Sequence, residues 1–147
     1  DTAAANALDD YEEGTWTPNL EGSSTVGTSS YGASGGTYTK IGNTVTAWFT
    51  IKQATVSGAS GSTRITGLPF TSNQTNNVRG VQGSTFRMYK YATGVTTVDE
   101  VVYMSVGDNS SVLGFAMWRD GTTWSDIPIY NSSDMYIEGW LTYRTNS

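Results

Sequence analysis

The stretch GTYTKIGNTVTAWFTIKQ, residues 36–53, decides the fold class. From Thr44 onward, apolar residues alternate with residues that mostly bear hydroxyl groups. A period of two is typical of a β-strand with one buried face. The residues Ile41-Gly42-Asn43 interrupt the pattern and predict a turn between two strands. The alternation places Trp48 on the hydroxyl face, where it is expected to cover a second layer or to contact another subunit.

The same signals recur along the rest of the chain. Residues 85–93 and 135–144 alternate as well. Residues 99–106 and 111–118 are separated by Gly107-Asp108-Asn109-Ser110, a turn of the hairpin kind. We expect about nine or ten short strands, which is the pattern of an antiparallel β-sandwich or jelly roll. The sequence therefore predicts an all-β domain.

The N-terminal part is expected to differ from this pattern. Residues 1–13 are the one segment that favours a helix, and residues 1–14 are expected to be a junction to a stalk or spike body of a longer protein. The domain itself is predicted to span residues 15–147. Pro18 restricts the strand around it to a sheet edge or an outer rim. Residues 21–36 are rich in Gly and Ser and predict a long loop.

Composition excludes several classes of function. The chain has 147 residues without Cys or His, so disulfides, Cys-based zinc sites and His-based triads are ruled out. Its net charge of −5, with eight Lys and Arg residues, argues against a nucleic-acid partner. No apolar run reaches the length of about 20 residues that a membrane helix needs. We expect no cofactor, no bound metal and no membrane insertion.

The segment MWRDGTTWSD, residues 117–126, is the best candidate for a binding site. Carbohydrate recognition needs an aromatic ring to stack on a sugar, and carboxylates or Arg to hold its hydroxyls. The predicted carbohydrate-binding residues are Trp118, Arg119, Asp120, Trp124, Asp126 and Tyr130. The structural alternative is that Trp118 ends a core strand and that Trp124 anchors the loop. Catalysis by Asp120 and Asp126, as in a glycosidase, is a further alternative, although we expect no enzyme.

Other aromatic residues are candidates for an oligomer contact. Tyr and Trp on the outward face of a sheet often contact another subunit. On this basis Trp16, Trp48, Tyr136 and Trp140 are the predicted interface residues. For Trp16 the alternative is a place in the core of the domain.

Four phrases resemble one family. LDDYEEGTWTP (8–18), GTYTKIGNTVTAWFTI (36–51), ITGLPF (65–70) and IEGWLTYRT (137–145) are similar, in order and spacing, to the C-terminal domains of tailed-bacteriophage tail fibres and tailspikes. The resemblance implies a β-sandwich held as a homotrimer in the virion, at the fibre or spike tip. It also implies synthesis in the host cytoplasm without disulfides.

The resemblance leaves three functions open. The first is a receptor-binding module that binds bacterial surface polysaccharide and helps to hold the trimer. The second is a structural trimerisation cap without receptor contact. The third is an appended lectin-like or glycosidase domain. In spikes of this kind, cleavage of the glycan would belong to the upstream body.

Overall fold

A computed structural model describes residues 10–73, 81–89, 100–119 and 124–146. These residues form two antiparallel sheets, and no helix occurs among them. The strands are β1 (Tyr11–Trp16), β2 (Asn19–Gly22), β3 (Thr28–Ser30), β4 (Ala33–Ile41), β5 (Thr44–Ser57), β6 (Thr63–Thr66), β7 (Val81–Tyr89), β8 (Glu100–Val106), β9 (Leu113–Arg119), β10 (Ser125–Asp126) and β11 (Met135–Arg144). The predicted all-β sandwich is thereby confirmed, with eleven strands in the described ranges where about nine or ten were expected.

The two sheets have different sizes and orders. The six-stranded sheet has the order β1-β4-β5-β11-β7, and β3 pairs with β5. The five-stranded sheet has the order β10-β9-β6-β2, and β8 pairs with β9. The strands β4 and β11 flank β5 on either side over most of its length. The strand predicted from residues 44–53 is therefore the centre of the larger sheet.

The core lies between the inner faces of the two sheets. Val45, Ala47 and Ile51 of β5 have no exposed surface, as the alternation of the sequence predicted. Leu20, Ile65 and Leu113 of the smaller sheet are equally buried and belong to the same apolar cluster. One contact across the layers joins Phe86 of β7 to Phe115 of β9, with ring centroids 5.3 Å apart in an edge-to-face arrangement.

The hairpins follow the predicted turns. Gly42 lies between β4 and β5 with φ of +57°, a left-handed conformation that glycine adopts without steric cost. The turn between β8 and β9 contains Asn109 with φ of +48°, and its amide donates a hydrogen bond to the Asp108 carboxylate. Asn is the residue other than glycine that best tolerates this conformation.

The N-terminal segment is a strand where the sequence favoured a helix. Residues Tyr11 to Glu13 belong to β1, which pairs along its whole length with β4, from Tyr11 opposite Ile41 to Trp16 opposite Gly36. The sheet therefore includes residues 11–14, which were assigned to the junction. An open edge of β4 offers backbone partners that override the weak helix propensity of so short a segment. Residues 1–9 lie outside the described part of the chain.

The predicted loop at residues 21–36 is wrong in large part. It contains the end of β2, all of β3 and the first residues of β4. Tyr31 fixes this segment, because its hydroxyl accepts a hydrogen bond from the Leu20 amide and donates one to Asn19 Oδ1, each at 2.8 Å. Backbone pairing with β5 and these hydrogen bonds offset the weak strand propensity of Gly and Ser.

Pro18 lies where the chain passes from one sheet to the other. The strand β1 ends at Trp16 in the larger sheet, and β2 begins at Asn19 in the smaller one. Both are edge strands, which agrees with the predicted position of the proline. Ser34 Oγ donates a hydrogen bond of 2.9 Å to the Pro18 carbonyl and so ties this crossing to β4.

Candidate functional site

Two exposed tryptophans lie on the outer face of the five-stranded sheet. On β9, Phe115 and Met117 point into the core, so Trp118 points to the opposite side and is 52% exposed. Trp124, just before β10, is 56% exposed. Trp118 is thus next to the last residue of a strand that contributes Leu113, Phe115 and Met117 to the core, as in the structural alternative, while its own side chain is exposed.

The pairing of β10 with β9 explains why these tryptophans are neighbours. Ser125 pairs with Met117 and Asp126 with Ala116. Extending this antiparallel register by one residue would place Trp124 opposite Trp118. Because directly paired residues share a face, Trp118, Trp124 and Asp126 all lie on the outer side of the sheet. We call these three residues the tryptophan face.

Asp126 supplies the polar part of this surface. Its side chain is exposed, and its Oδ2 accepts a hydrogen bond of 3.1 Å from Ser62 Oγ. That bond restrains the carboxylate and leaves it further acceptor positions, because an ionised carboxylate has about four lone-pair sites. Tyr103 of β8 pairs with Ala116 on the same face, where it is half-buried. The face therefore combines apolar rings with a fixed hydrogen-bond acceptor.

The other predicted carbohydrate-binding residues have different positions. Tyr130 is half-buried and packs against the core, following the buried residues Ile127 and Ile129. Arg119 ends β9 opposite Glu100, and the structure does not describe its side chain. Asp120 lies outside the described residues. The structure thus brings together Trp118, Trp124 and Asp126 of the predicted set.

The outer face of the six-stranded sheet contains the second group of exposed aromatic residues. Trp48 is 43% exposed and pairs directly with Trp140 on β11. Near the other end of β11, Tyr136 and Tyr89 form an edge-to-face pair with ring centroids 5.9 Å apart. On the side of the tryptophan pair away from Tyr136, the hydroxyls of Thr46 and Thr142 share a hydrogen bond of 3.0 Å. The predicted interface residues Trp48, Tyr136 and Trp140 therefore share one surface.

Trp16, the fourth predicted interface residue, has a different location. It is 7% exposed and packs on Phe49 in an edge-to-face contact of 6.0 Å between ring centroids. Its indole N–H donates a hydrogen bond of 3.0 Å to the Trp48 carbonyl. Trp16 thus lies in the core on the inner side of the sheet, which was the alternative for this residue.

A depression on the outer face of the six-stranded sheet was missed by sequence reasoning. It has a volume of about 590 Å³, and the side chains of Thr37, Trp48, Thr50 and Glu138 line it together with Gly35. Glu138 forms an ion pair of 3.0 Å with Arg87 on β7. The signal in the sequence was the pair Gly35-Gly36, which was assigned to a loop instead of a strand.

The acidic N-terminal segment affects two surface tyrosines. The pKa of Tyr38 is raised from its ordinary value, chiefly because its hydroxyl donates a 2.7 Å hydrogen bond to Glu12. The pKa of Tyr11 is raised in the same way by its hydrogen bond to Glu13. Both tyrosine hydroxyls thus donate hydrogen bonds to carboxylates of the N-terminal segment.

Two further features are absent from the described part of the chain. In the described ranges, no group of three or more Asp or Glu side chains is arranged to hold a metal ion. That part of the chain also has no helix that is long and apolar enough to span a membrane.

Comparison with known proteins gives a likeness of fold. No protein-family model and no curated protein matches the sequence. Among solved structures, the chain is similar to the crystal structure of the Dettilon tailspike protein (gp208), with a TM-score of 0.60 and 20% sequence identity. The likeness covers 89% of this chain and 23% of the tailspike chain, so this chain spans about a quarter of the length of that protein. The two sheets thus have the fold of one part of a tailspike protein.

Proposed function

We propose that this domain is a receptor-binding module of a bacteriophage tail fibre or tailspike, which binds carbohydrate on the bacterial surface through the tryptophan face. The observation that supports this most is the placement of Trp118, Trp124 and Asp126 together on one exposed face. The fold likeness to a tailspike protein and the sequence resemblance to tail proteins agree with it. The location would be the virion tail, and the role would be binding without catalysis.

The chemistry of the tryptophan face suits a sugar. The apolar face of a pyranose ring stacks on an indole, and its hydroxyls need acceptors at fixed positions. Trp118 and Trp124 are each more than half exposed, so their rings are accessible, and Asp126 is held by Ser62. Such a shallow site would bind weakly, and repetition in an oligomer would raise the avidity.

The test is binding of the chain to an array of bacterial O-antigen and capsular oligosaccharides. We expect Trp124→Ala to lose about tenfold or more in affinity for the oligosaccharides that the wild-type chain binds, as for an exposed aromatic anchor. Ile41→Ala is the matched control, because Ile41 is also exposed, at 63%, but lies at the end of β4 in the other sheet. No wild-type binding to any glycan, or equal binding by Trp124→Ala, would contradict the proposal.

A second role, formation of a homotrimer, is supported by the outer face of the six-stranded sheet. The part of this face next to β7 has the Tyr89–Tyr136 pair and Trp140, and Tyr89 is 56% exposed. Aromatic residues on an exposed sheet are typical of subunit contacts. A trimerisation cap without receptor contact would use this face and leave the tryptophan face without a role.

Light scattering tests the trimer. We expect a molar mass three times the 15.8 kDa of the chain for the wild type, and a lower mass for a Tyr136→Ser/Trp140→Ser double variant. Trp124→Ala is the control and should keep the wild-type mass. A monomeric wild type would show that these 147 residues do not form a trimer on their own.

A further inference from the structure

We propose a second saccharide site, in the depression around Gly35 on the outer face of the six-stranded sheet. This inference rests on the proposed carbohydrate-binding function and adds a site on the opposite side of the sandwich from the tryptophan face. The depression is shallow and mostly open to solvent, and its volume is about 590 Å³.

Two adjacent glycines of β4 differ in whether the fold requires them. Gly36 points inward, where an added Cβ would overlap the Trp16 indole, so the packing of the core explains why it is a glycine. Gly35 points outward, and an added Cβ would meet no atom within 4 Å. Its φ is also not in the left-handed region, so the backbone does not require a glycine there.

A glycine that neither the packing nor the backbone conformation requires lowers the stability of a strand. In a strand interior it weakens the strand, because it loses more conformational entropy on folding and has no side chain to pack. Such a glycine often marks a place where a ligand or another backbone comes close. Because Gly35 lines the depression, its missing side chain is what keeps that space open.

The lining of the depression selects the chemistry of the ligand. Trp48 offers a partly exposed indole, Thr37 and Thr50 offer hydroxyls, and Glu138 offers a carboxylate. Arg87 pairs with that carboxylate at 3.0 Å and limits its motion. An aromatic wall, a carboxylate acceptor and hydroxyls that donate and accept are the groups that a neutral pyranose needs. A strongly anionic ligand is disfavoured by Glu138.

The depression borders the surface that would serve a trimer. Glu138, which lines it, lies between Tyr136 and Trp140 on the outward side of β11, and Trp48 is opposite Trp140. A sugar in the depression would therefore lie directly beside a subunit contact made by Tyr136 and Trp140. If another copy of the chain filled the depression instead, changing Gly35 would alter the oligomeric state.

The experiment compares two substitutions on the same strand and the same face. Gly35→Gln places a side chain in the depression, while Thr39→Gln changes an outward residue that does not line it. Both variants should unfold at or near the wild-type temperature, because neither added side chain enters the core. The ligand is the oligosaccharide that wild type binds most tightly on the array, titrated by NMR into ¹⁵N-labelled chain.

We expect the amide signals of Gly35 and Gly139 to shift in the wild type, and Gly35→Gln to weaken that response by about tenfold. Thr39→Gln should respond like the wild type. Unmoved Gly35 and Gly139 signals, with shifts at Trp118 and Trp124, would overturn this inference and leave the proposed function intact. A changed molar mass of Gly35→Gln would overturn it in favour of a subunit contact. Absence of any shift in the chain would overturn both.

Discussion

The two outer faces of the sandwich differ in regularity. The six-stranded sheet is built on long strands, β5 with 14 residues and β11 with 10, and its outer side has ordered rows of Thr, Trp and Tyr. The five-stranded sheet includes β10, which has two residues, and its exposed tryptophans lie at strand ends. A regular face suits contacts that repeat, while a face built from strand ends can vary in sequence without loss of the fold.

The strand β5 contributes side chains both to the core and to an outer surface. Trp48 and Phe49 are adjacent on β5, yet the first is 43% exposed and the second 3%. The Trp48 carbonyl accepts the hydrogen bond from the buried Trp16, while the Trp48 ring faces outward. Substitutions on the two sides should therefore separate stability from binding.

The largest effect on stability is expected for Trp16→Ala. Loss of a buried Trp that packs on Phe49 should lower the free energy of unfolding by about 3–5 kcal/mol. The matched variant Trp48→Ala should cost less than about 1 kcal/mol, because the Trp48 ring lies on the outer face, opposite Trp140 in the register, and is 43% exposed. Urea unfolding followed by circular dichroism measures both. Equal losses would show that the outer face stabilises the fold as much as the core does.

An intermediate effect is expected for Tyr143→Phe, which changes a fully buried residue near the end of β11. The Tyr143 hydroxyl accepts a hydrogen bond of 3.2 Å from the Phe70 amide and donates one of 3.1 Å to the Phe70 carbonyl. Its removal leaves two backbone groups without these partners and should cost about 1–3 kcal/mol. A loss below about 0.5 kcal/mol in the same urea assay would mean that water replaces the hydroxyl.

The same residue predicts how stability depends on alkaline pH. Burial raises the pKa of Tyr143 to about 12 in the folded state, while in the unfolded chain the pKa of this tyrosine is about 10. The folded state thus binds more protons between these values, so its stability is full below pH 10 and falls as the pH rises toward 12. Tyr143→Phe should show a shallower loss over this interval. An identical slope in both proteins would assign the loss to other groups.

The smallest effect is expected for Glu138→Gln on the rim of the depression. The Arg87–Glu138 pair is solvent-accessible, with side chains 71% and 35% exposed, so its loss should cost less than about 1 kcal/mol. The difference from the wild type should shrink at high salt. A larger, salt-independent loss would mean that Glu138 supports the sheet and is not free to serve a ligand.

The parts of the fold that were predictable are those specified by local patterns. The alternation in residues 44–51 predicted which side chains of β5 are buried, and the turns at Gly42 and Asn109 are local too. The segment at 21–36 was not predictable, because its strands depend on pairing with β5 and on the hydrogen bonds of Tyr31, far away in sequence.

The candidate sites show the same limit. The sequence suggested Trp118 and Trp124 because both occur in one polar segment, but their common face depends on the register of β10 against β9. The depression was missed because Gly35 and Gly36 together are typical of a loop in sequence. The structure shows that the Trp16 indole requires a glycine at position 36, whereas no neighbouring atom requires one at position 35. In sequence the two glycines are equivalent, and only the packing distinguishes them.

Whether the tryptophan face recognises carbohydrate can be measured by NMR. The indole N–H signals of the five tryptophans are followed while the best-binding oligosaccharide is added. The signals are assigned by one substitution each. We expect the signals of Trp118 and Trp124 to shift with a common affinity, while the signal of the buried Trp16 does not move. Binding that leaves Trp118 and Trp124 unchanged would contradict the claim that the tryptophan face recognises carbohydrate.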